Sequence, residues 1–285
     1  MIIKSLKTIQ RINLHLHSRV SDGALSPAQL IKRATTIGLD LISITDHDTC
    51  DAYRNLPEIT LPLQILPGME ISSQHQGHDV HILAYGCDME NKALGELTEM
   101  YLQGRRQRAI KMIGLLGDMG MEISLDEVVA VAGSRELIVR PHIAQILVAR
   151  GYVQSKNEAF EKYIGNFKPA FVPKPEVSVP EALSVIHNAG GLACLAHPGK
   201  LAKPEFLAEL LPMGVDGLEV CHPDHKPEDI QRFIAIAIDN GLYMTGGSDF
   251  HGTHDQHNVF AAVEVPEIVL QSVNKLWQEY RQRRA

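Results

Sequence analysis

Ile12-Asn13-Leu14-His15-Leu16-His17, continuing into Ser18-Arg19-Val20-Ser21-Asp22-Gly23, is the stretch that decides the fold. The apolar run from Arg11 to Leu16 reads as a strand. Side chains two apart on a strand point to the same side, so its end offers two imidazoles to one metal ion. Taken alone, this H-x-H pair is equally compatible with two unrelated surface histidines. The next thirty residues supply context. Ser26 is placed to cap a helix with Pro27 at its first position, and that helix should end near Gly38. Asp40 to Thr45 reads as a second strand. Strand–helix–strand alternation favours a parallel sheet or an α/β barrel, and such folds carry their sites at the carboxyl ends of strands.

The same context recurs along the chain. Asp46-His47-Asp48 follows Leu41-Ile42-Ser43-Ile44, and Glu70 follows Ile65-Leu66-Pro67-Gly68-Met69. His81 lies in Val80-His81-Ile82-Leu83, and His197 follows Leu192-Ala193-Cys194-Leu195-Ala196. Asp249-Phe250-His251, again with i, i+2 spacing, follows Met244-Thr245-Gly246-Gly247-Ser248. Imidazole mixed with carboxylate suits Zn, Mn or Fe rather than an all-oxygen Ca or Mg cage. These are too many ligands for one tetrahedral ion, so a cluster of two or three ions with a bridging carboxylate is the economical reading.

Working outward, Leu63–Ile71 and Asp79–Tyr85 read as third and fourth strands, separated by the polar stretch Ser72–His78. From Asn91 to about Phe167 the pattern turns helical, with helices over Leu94–Met119, Leu125–Ala132, Arg140–Arg150 and Lys156–Tyr163. Alternation then returns. Helices are expected at Val179–Ala189, Pro204–Met213, Pro227–Asn240 and Glu267–Arg284, and strands at Leu192–Ala196, Gly217–Val220, Tyr243–Gly247 and Ala261–Val265. The division is thus a barrel domain over 1–92 and 168–285, interrupted by a helical insertion over 93–167.

The 285 residues, 45% hydrophobic and 21% charged, suit a soluble globular protein. No apolar run reaches the roughly 18 residues of a membrane span. Met1-Ile2-Ile3-Lys4-Ser5 lacks the features of a signal peptide, so a cytoplasmic location is expected. Cys50, Cys87, Cys194 and Cys221 form no C-x-x-C pair and read as buried thiols. A net charge of −7 argues against a broad electrostatic grip on long nucleic acid. A small phosphorylated substrate is not excluded, because bound metal ions supply local positive charge. No stable protein partner is implied.

The ordered elements H-x-H, S-D-G, T-D-H-D, G-x-E, A-H-P and S-D-F-H resemble those of the PHP (polymerase and histidinol phosphatase) superfamily, over essentially the whole chain. The helical insertion and Arg140-Pro141-His142 resemble the branch holding nucleoside 3′,5′-bisphosphate phosphatases and the 5′→3′ exoribonuclease ribonuclease AM. The resemblance implies a distorted (β/α)7 barrel with the insertion over its mouth and a trinuclear site for divalent ions, Mn2+ first, with Zn2+ or Fe2+ as alternatives. Carried over by motif, His15, His17, Glu70 and Asp249 would hold one ion, Glu70 would bridge to a second held by His81 and His197, and Asp22, His47 and His251 would hold the third. His81 competes for its place with His75 and His78, which read as loop residues. A hydroxide held between two ions at Glu70 would be the nucleophile.

Substrate contacts are less sharply marked. Arg140 offers a planar fork to a second phosphate, although a structural ion pair is the alternative. His142 is a phosphate contact or a helix-capping residue. The run Arg105, Arg106, Arg108, Lys111 reads as a solvated helix face with one or two members pointing inward. His222, after another strand, is a candidate phosphate contact or proton donor to the leaving alkoxide. Ser18, Arg19 and Lys168 are further contact candidates. The expected activity is hydrolysis of the 3′-phosphoester of a 5′-phosphorylated nucleotide, whether a nucleotide bisphosphate or a short RNA. The alternatives are a sugar-phosphate or histidinol-phosphate phosphatase, a metal-dependent amidohydrolase and a non-catalytic metal-binding domain.

Overall fold

The computed structural model describes residues 8–54, 56, 63–132, 137–252 and 260–284. The Met1–Ser5 reading lies outside them. Two sheets make up the framework. Strands β1 (Ile12–Leu16), β2 (Leu41–Ile44) and β3 (Gln64–Ile65) pair in parallel, with helix α1 (Pro27–Thr36) crossing between the first two. Ser26 caps α1 in a full capping box with Gln29.

The second sheet holds β4 (Gly68–His75), β5 (His78–Tyr85), β6 (Val177–Ser178), β7 (Leu192–Leu195), β8 (Gly217–Cys221) and β9 (Tyr243–Gly246). Its order is β6-β4-β5-β7-β8-β9. β3 runs on into β4 across Pro67, where the sequence pattern suggests a single strand. Two seams join the sheets: His47 bridges Glu70 in parallel, and Leu16 bridges Phe250 just beyond β9. β1, β2, the β3–β4 run, β5, β7, β8 and β9 therefore succeed one another round a ring.

Strand direction departs from the all-parallel expectation. β5 is antiparallel to both β4 and β7. The polar stretch Ser72–His78 is not a linker but the tip of a hairpin, turning at Gln76 (φ 51°) and Gly77 (φ 78°). His75 and His78 are consequently facing strand-end residues, not loop residues. The late strand expected at Ala261–Val265 is absent. That segment makes one isolated antiparallel bridge, Val263 to Ile12.

Alternate residues of the ring face different cores. Ile12, Leu14, Leu41, Leu66, Leu83, Tyr85 and Cys194 pack with Leu270, Val273 and Leu276 of helix α9 (Glu267–Arg283), which closes the end away from His15 and His17. The opposite faces pack on α6 (Val179–Asn188), α7 (Phe206–Leu210) and α8 (Pro227–Asp239). All four cysteines are buried and none is part of a disulfide.

The helical stretch comprises α2 (Lys92–Asp118), α3 (Leu125–Ala132), α4 (Arg140–Ala149) and α5 (Lys156–Ala159), the last running into a wide π-helical turn over Phe160–Ile164. It has a core of its own, formed by Met112, Leu116, Val128, Ile143, Leu147, Val153 and Ile164. The α2 arginines divide by face. Arg105 and Arg108 are buried and Lys111 is exposed, so two members of the run turn inward, as many as its spacing allowed. No helix among the described residues is long and apolar enough to cross a membrane.

Candidate metal centre

The carboxyl end of β1 enters the site because the chain across from it has no side chain. A Cβ on Gly247 would lie 2.0 Å from the Cβ of His15, so only glycine lets the segment after β9 approach. Gly23 plays the same part in the loop after β1, where a Cβ would lie 2.2 Å from the His17 carbonyl oxygen. Asp48 (φ 55°), His197 (φ 28°) and Asp249 (φ 51°) adopt left-handed backbone conformations at the turns after strands. Such conformations cost about 1–3 kcal/mol each away from glycine and persist where surrounding structure imposes them.

Glu70 lies at the centre and is buried. Its Oε2 is 3.2 Å from Nε2 of both His15 and His17 and 3.1 Å from Nδ1 of His47. Its Oε1 is 2.9 Å from Nδ1 of His81 and 3.0 Å from Nε2 of His197. Asp249 Oδ1 lies 3.4 Å from His15 Nε2 and 3.1 Å from His17 Nε2. On the other side of His17, Asp22 approaches His251 at 3.3 Å, His17 at 3.7 Å and His47 at 3.9 Å. All nine residues expected to ligate metal thus share one cluster. Three groups within it have ligand atoms close enough for an ion: His17, Asp22, His47 and His251; His15, His17, Glu70 and Asp249; His47, Glu70 and His81.

The chemistry of this set suits metal. Nε2 atoms of His15 and His17 are only 3.1 Å apart. His17 Nδ1, His47 Nδ1 and Glu70 Oε2 are buried and lack a well-formed hydrogen bond, an arrangement that costs free energy unless another group satisfies them. Burial opposes charge on His17, but Asp249 and Glu70 outweigh it and raise its pKa to about 10. His15 is likewise raised against burial, by Glu219, Glu70 and Asp249. Burial dominates at His47, which falls to about 3. Asp22, Glu70 and Asp249 are held well below the usual carboxylate range, since surrounding imidazoles outweigh the effect of burial.

Several supporting residues carry little signal in the sequence. Glu219, fully buried on β8, accepts from His15 Nδ1 at 2.9 Å and from the His197 backbone N–H at 2.8 Å. A lone acid in the apolar run Gly217-Leu218-Glu219-Val220-Cys221 is the one sign of it. Asp46 accepts from the Ser18 backbone (2.7 Å), the Ser18 hydroxyl (2.6 Å) and the Ser21 hydroxyl (2.7 Å), tying down the loop that carries Asp22. Asp48 accepts from Arg105 and from the Ser72 N–H at 2.7 Å, anchoring α2 beside His47. Asn13 and Ser248 bond reciprocally, holding β1 to the Asp249 turn.

A cavity of about 740 Å³ opens over the cluster. One wall is Arg19–Ala24 without Val20, with Lys200, His222 and Asp249. The other belongs to the helical stretch and includes His142, Lys156 and Phe160. His142 is half-buried and its pKa is pushed down to about 4, chiefly by burial. Its Nδ1 accepts from the Val139 N–H at 3.3 Å, so Nε2 carries the proton. His222 is buried, with Nε2 3.4 Å from Asp249, and its Nδ1 accepts from the Asp224 N–H. Lys200 lies 3.5 Å from Asp249.

The other substrate-contact candidates fall outside that lining. Ser18 is buried with its hydroxyl turned to Asp46. Arg140 donates to Asn166 Oδ1 at 2.8 Å and to the Ile164 carbonyl at 3.3 Å, with its guanidinium over the Phe160 and Phe171 rings. Lys168 is exposed beyond it.

The profile of the PHP domain family matches residues 13–172. Among curated proteins, the 3′,5′-nucleoside bisphosphate phosphatase of Chromobacterium violaceum is 35% identical, covering 84% of this chain and 87% of that one. The 5′-3′ exoribonuclease Rnm of Escherichia coli is 31% identical, covering 84% of each. Among solved structures, a metal-dependent phosphoesterase from Bifidobacterium adolescentis superposes with a TM-score of 0.82 at 30% identity, covering 94% of this chain and 96% of that one.

Proposed function

The chain belongs to the PHP domain family, and from that membership we propose that it is a metal-dependent phosphoesterase acting on the 3′-phosphoester of 5′-phosphorylated nucleotides. It would act as a 3′,5′-nucleotide bisphosphate phosphatase, as a 5′→3′ exoribonuclease on RNA, or as both. The observation that carries this reading is the convergence of five imidazoles on the two oxygens of Glu70, beneath a cavity of nucleotide size.

His15, His17, Glu70 and Asp249 would hold one divalent ion; Glu70, His81 and His197 a second; Asp22, His47 and His251 a third. Mn2+ fits this mixed nitrogen–oxygen set, as do Zn2+ and Fe2+. Bound there, such ions neutralise phosphoryl charge and make hydroxide available near neutral pH. The chain's own groups do the rest. The Nε2–H of His142 faces the cavity as a neutral donor to a phosphate oxygen. Arg19 and Lys200 add positive charge at its rim. His222 would present a proton from Nε2 to the departing alkoxide. We read 93–167 as a cap, because its residues supply the wall opposite the cluster.

The test is to incubate Mn-loaded protein with adenosine 3′,5′-bisphosphate and, separately, with a 5′-phosphorylated RNA oligomer. Phosphate and AMP are expected from the first, or stepwise 5′-mononucleotides from the second. Inactivity on both at full metal content would overturn the reading. Glu70→Gln should abolish most activity.

A further inference from the structure

Among the described residues, Phe167 is the most exposed large apolar side chain, at 95% accessibility, and it holds a left-handed backbone conformation (φ 63°). Both features run against ordinary preference. Burial of a phenylalanine ring is favourable, and a bulky side chain at positive φ is an outlier. The Lys168 N–H donates to the Gly165 carbonyl at 3.1 Å, so Phe167 occupies the third position of a turn that glycine or asparagine would fill without strain.

The turn is built rather than loose. The Gly165 N–H closes the π-helical turn onto the Phe160 carbonyl at 2.9 Å. Ala170 donates back to the Tyr163 carbonyl and Phe171 to the Lys168 carbonyl, each at 2.9 Å. Arg140 locks Asn166 from the side. Strain held in this way on an exposed aromatic points to a use for the ring.

Its surroundings identify the ligand. The Phe171 ring lies 6.2 Å away, tilted by 44°. The Arg140 guanidinium lies 5.7 Å from Phe171 and 5.4 Å from Phe160, which lines the cavity over the metal-ligand cluster. Lys168 is the next residue along the chain and is exposed. Aromatic faces interleaved with cations, continuous with the wall of a nucleotide-sized cavity, match single-stranded nucleic acid. Bases stack on such rings, and the cations meet the connecting phosphates.

We propose that Phe167, backed by Phe171 and flanked by Arg140 and Lys168, is a stacking platform for a nucleobase of an oligoribonucleotide beyond the residue being cleaved. This rests on the proposed function and deepens it, because the platform favours oligomers over nucleotide bisphosphates.

Phe167→Gly removes the ring and installs the residue best suited to the turn, so the variant should fold at least as well as the parent. The ratio of KM for a 5′-phosphorylated tetraribonucleotide to KM for adenosine 3′,5′-bisphosphate should rise on the order of tenfold. Phe167→Trp should leave that ratio near the parent value. Binding of a 5′-phosphorylated tetranucleotide carrying 2-aminopurine, followed on metal-free protein, reads the platform without turnover. Base fluorescence should be quenched by the parent and by Phe167→Trp, and not by Phe167→Gly. An unchanged ratio in Phe167→Gly, or equal quenching by all three proteins, overturns the platform while leaving the phosphoesterase reading intact. A parent that quenches the probe yet cleaves neither substrate overturns the phosphoesterase reading alone.

Discussion

Replacing Glu219 with glutamine changes one atom in a fully buried side chain that serves two donors. The carboxylate accepts from His15 Nδ1 through one oxygen and from the His197 N–H through the other. Glutamine has one acceptor, so one of these donors must face an amide NH2. A buried donor left without a partner costs about 1–3 kcal/mol, and the metal-free protein should lose that much stability. The loss at the metal site has a separate origin. With metal bound, the carboxylate would keep the His15 proton on Nδ1 and leave Nε2, which faces Glu70 and Asp249, free to bind the ion. Removing such a partner typically weakens metal binding by about 10–100-fold. Calorimetric titration of Mn2+ into metal-free protein, beside thermal unfolding of the same samples, measures both effects. Parent-like affinity together with parent-like melting would refute the argument that Glu219 sets the orientation of His15. Lower melting with unchanged affinity would leave it a structural role only.

The same geometry sets the outcome of other perturbations. Arg105→Met leaves Asp48 charged, buried and without its cation. Unfolding stability should fall by about 3–5 kcal/mol, as read by urea denaturation. Gly247→Ala drives a methyl group into His15; metal content by elemental analysis should fall, and stability should drop by about 1–3 kcal/mol as β1 is displaced. His142 should remain neutral at pH 7, with its proton on Nε2, and titrate near 4 in an NMR pH series. Its folded pKa lies below the unfolded value of 6.5, so its neutral burial favours the fold above pH 6.5 and loses that advantage as pH falls toward 4. A His142→Gln variant should flatten that part of the stability profile.

Strand–helix alternation made the parallel part of the ring readable from sequence, but the β4–β5 hairpin was not. A two-residue turn with positive φ at both positions is normally announced by Asn-Gly or Asp-Gly. Here the first position is Gln76, so only Gly77 carried the signal and the polar flank concealed strand direction. The Ala261–Val265 segment is strand-like in composition yet pairs through a single bridge, and composition cannot report a missing partner. On α2, spacing identified how many arginines could turn inward but not which ones. Arg105 and Arg108 stand three apart on one face, and what buries them is Asp48 and the Val172 carbonyl, both distant in sequence.

Ligand identity and ligand sharing are different kinds of information. Most histidines and acids of the cluster were recognisable from their position at or after an apolar run, because chemistry at a strand end is a local property; Asp22 has no such run before it and was marked only by the resemblance of its S-D-G motif. That His17, His47 and Glu70 each belong to two ligand groups is not local. It depends on a glycine that lets β1 and the Asp249 turn touch, and on the left-handed turns at Asp48, His197 and Asp249. Sharing also makes the groups interdependent. A change at Asp22 or His81 touches one group, whereas a change at Glu70 removes the only carboxylate of the His47–Glu70–His81 group and one of the two carboxylates beside His15 and His17. The strain at the three turns is therefore tied to the cluster as a whole. Relaxing any one of them would swing a ligand away from neighbours that already lack well-formed partners.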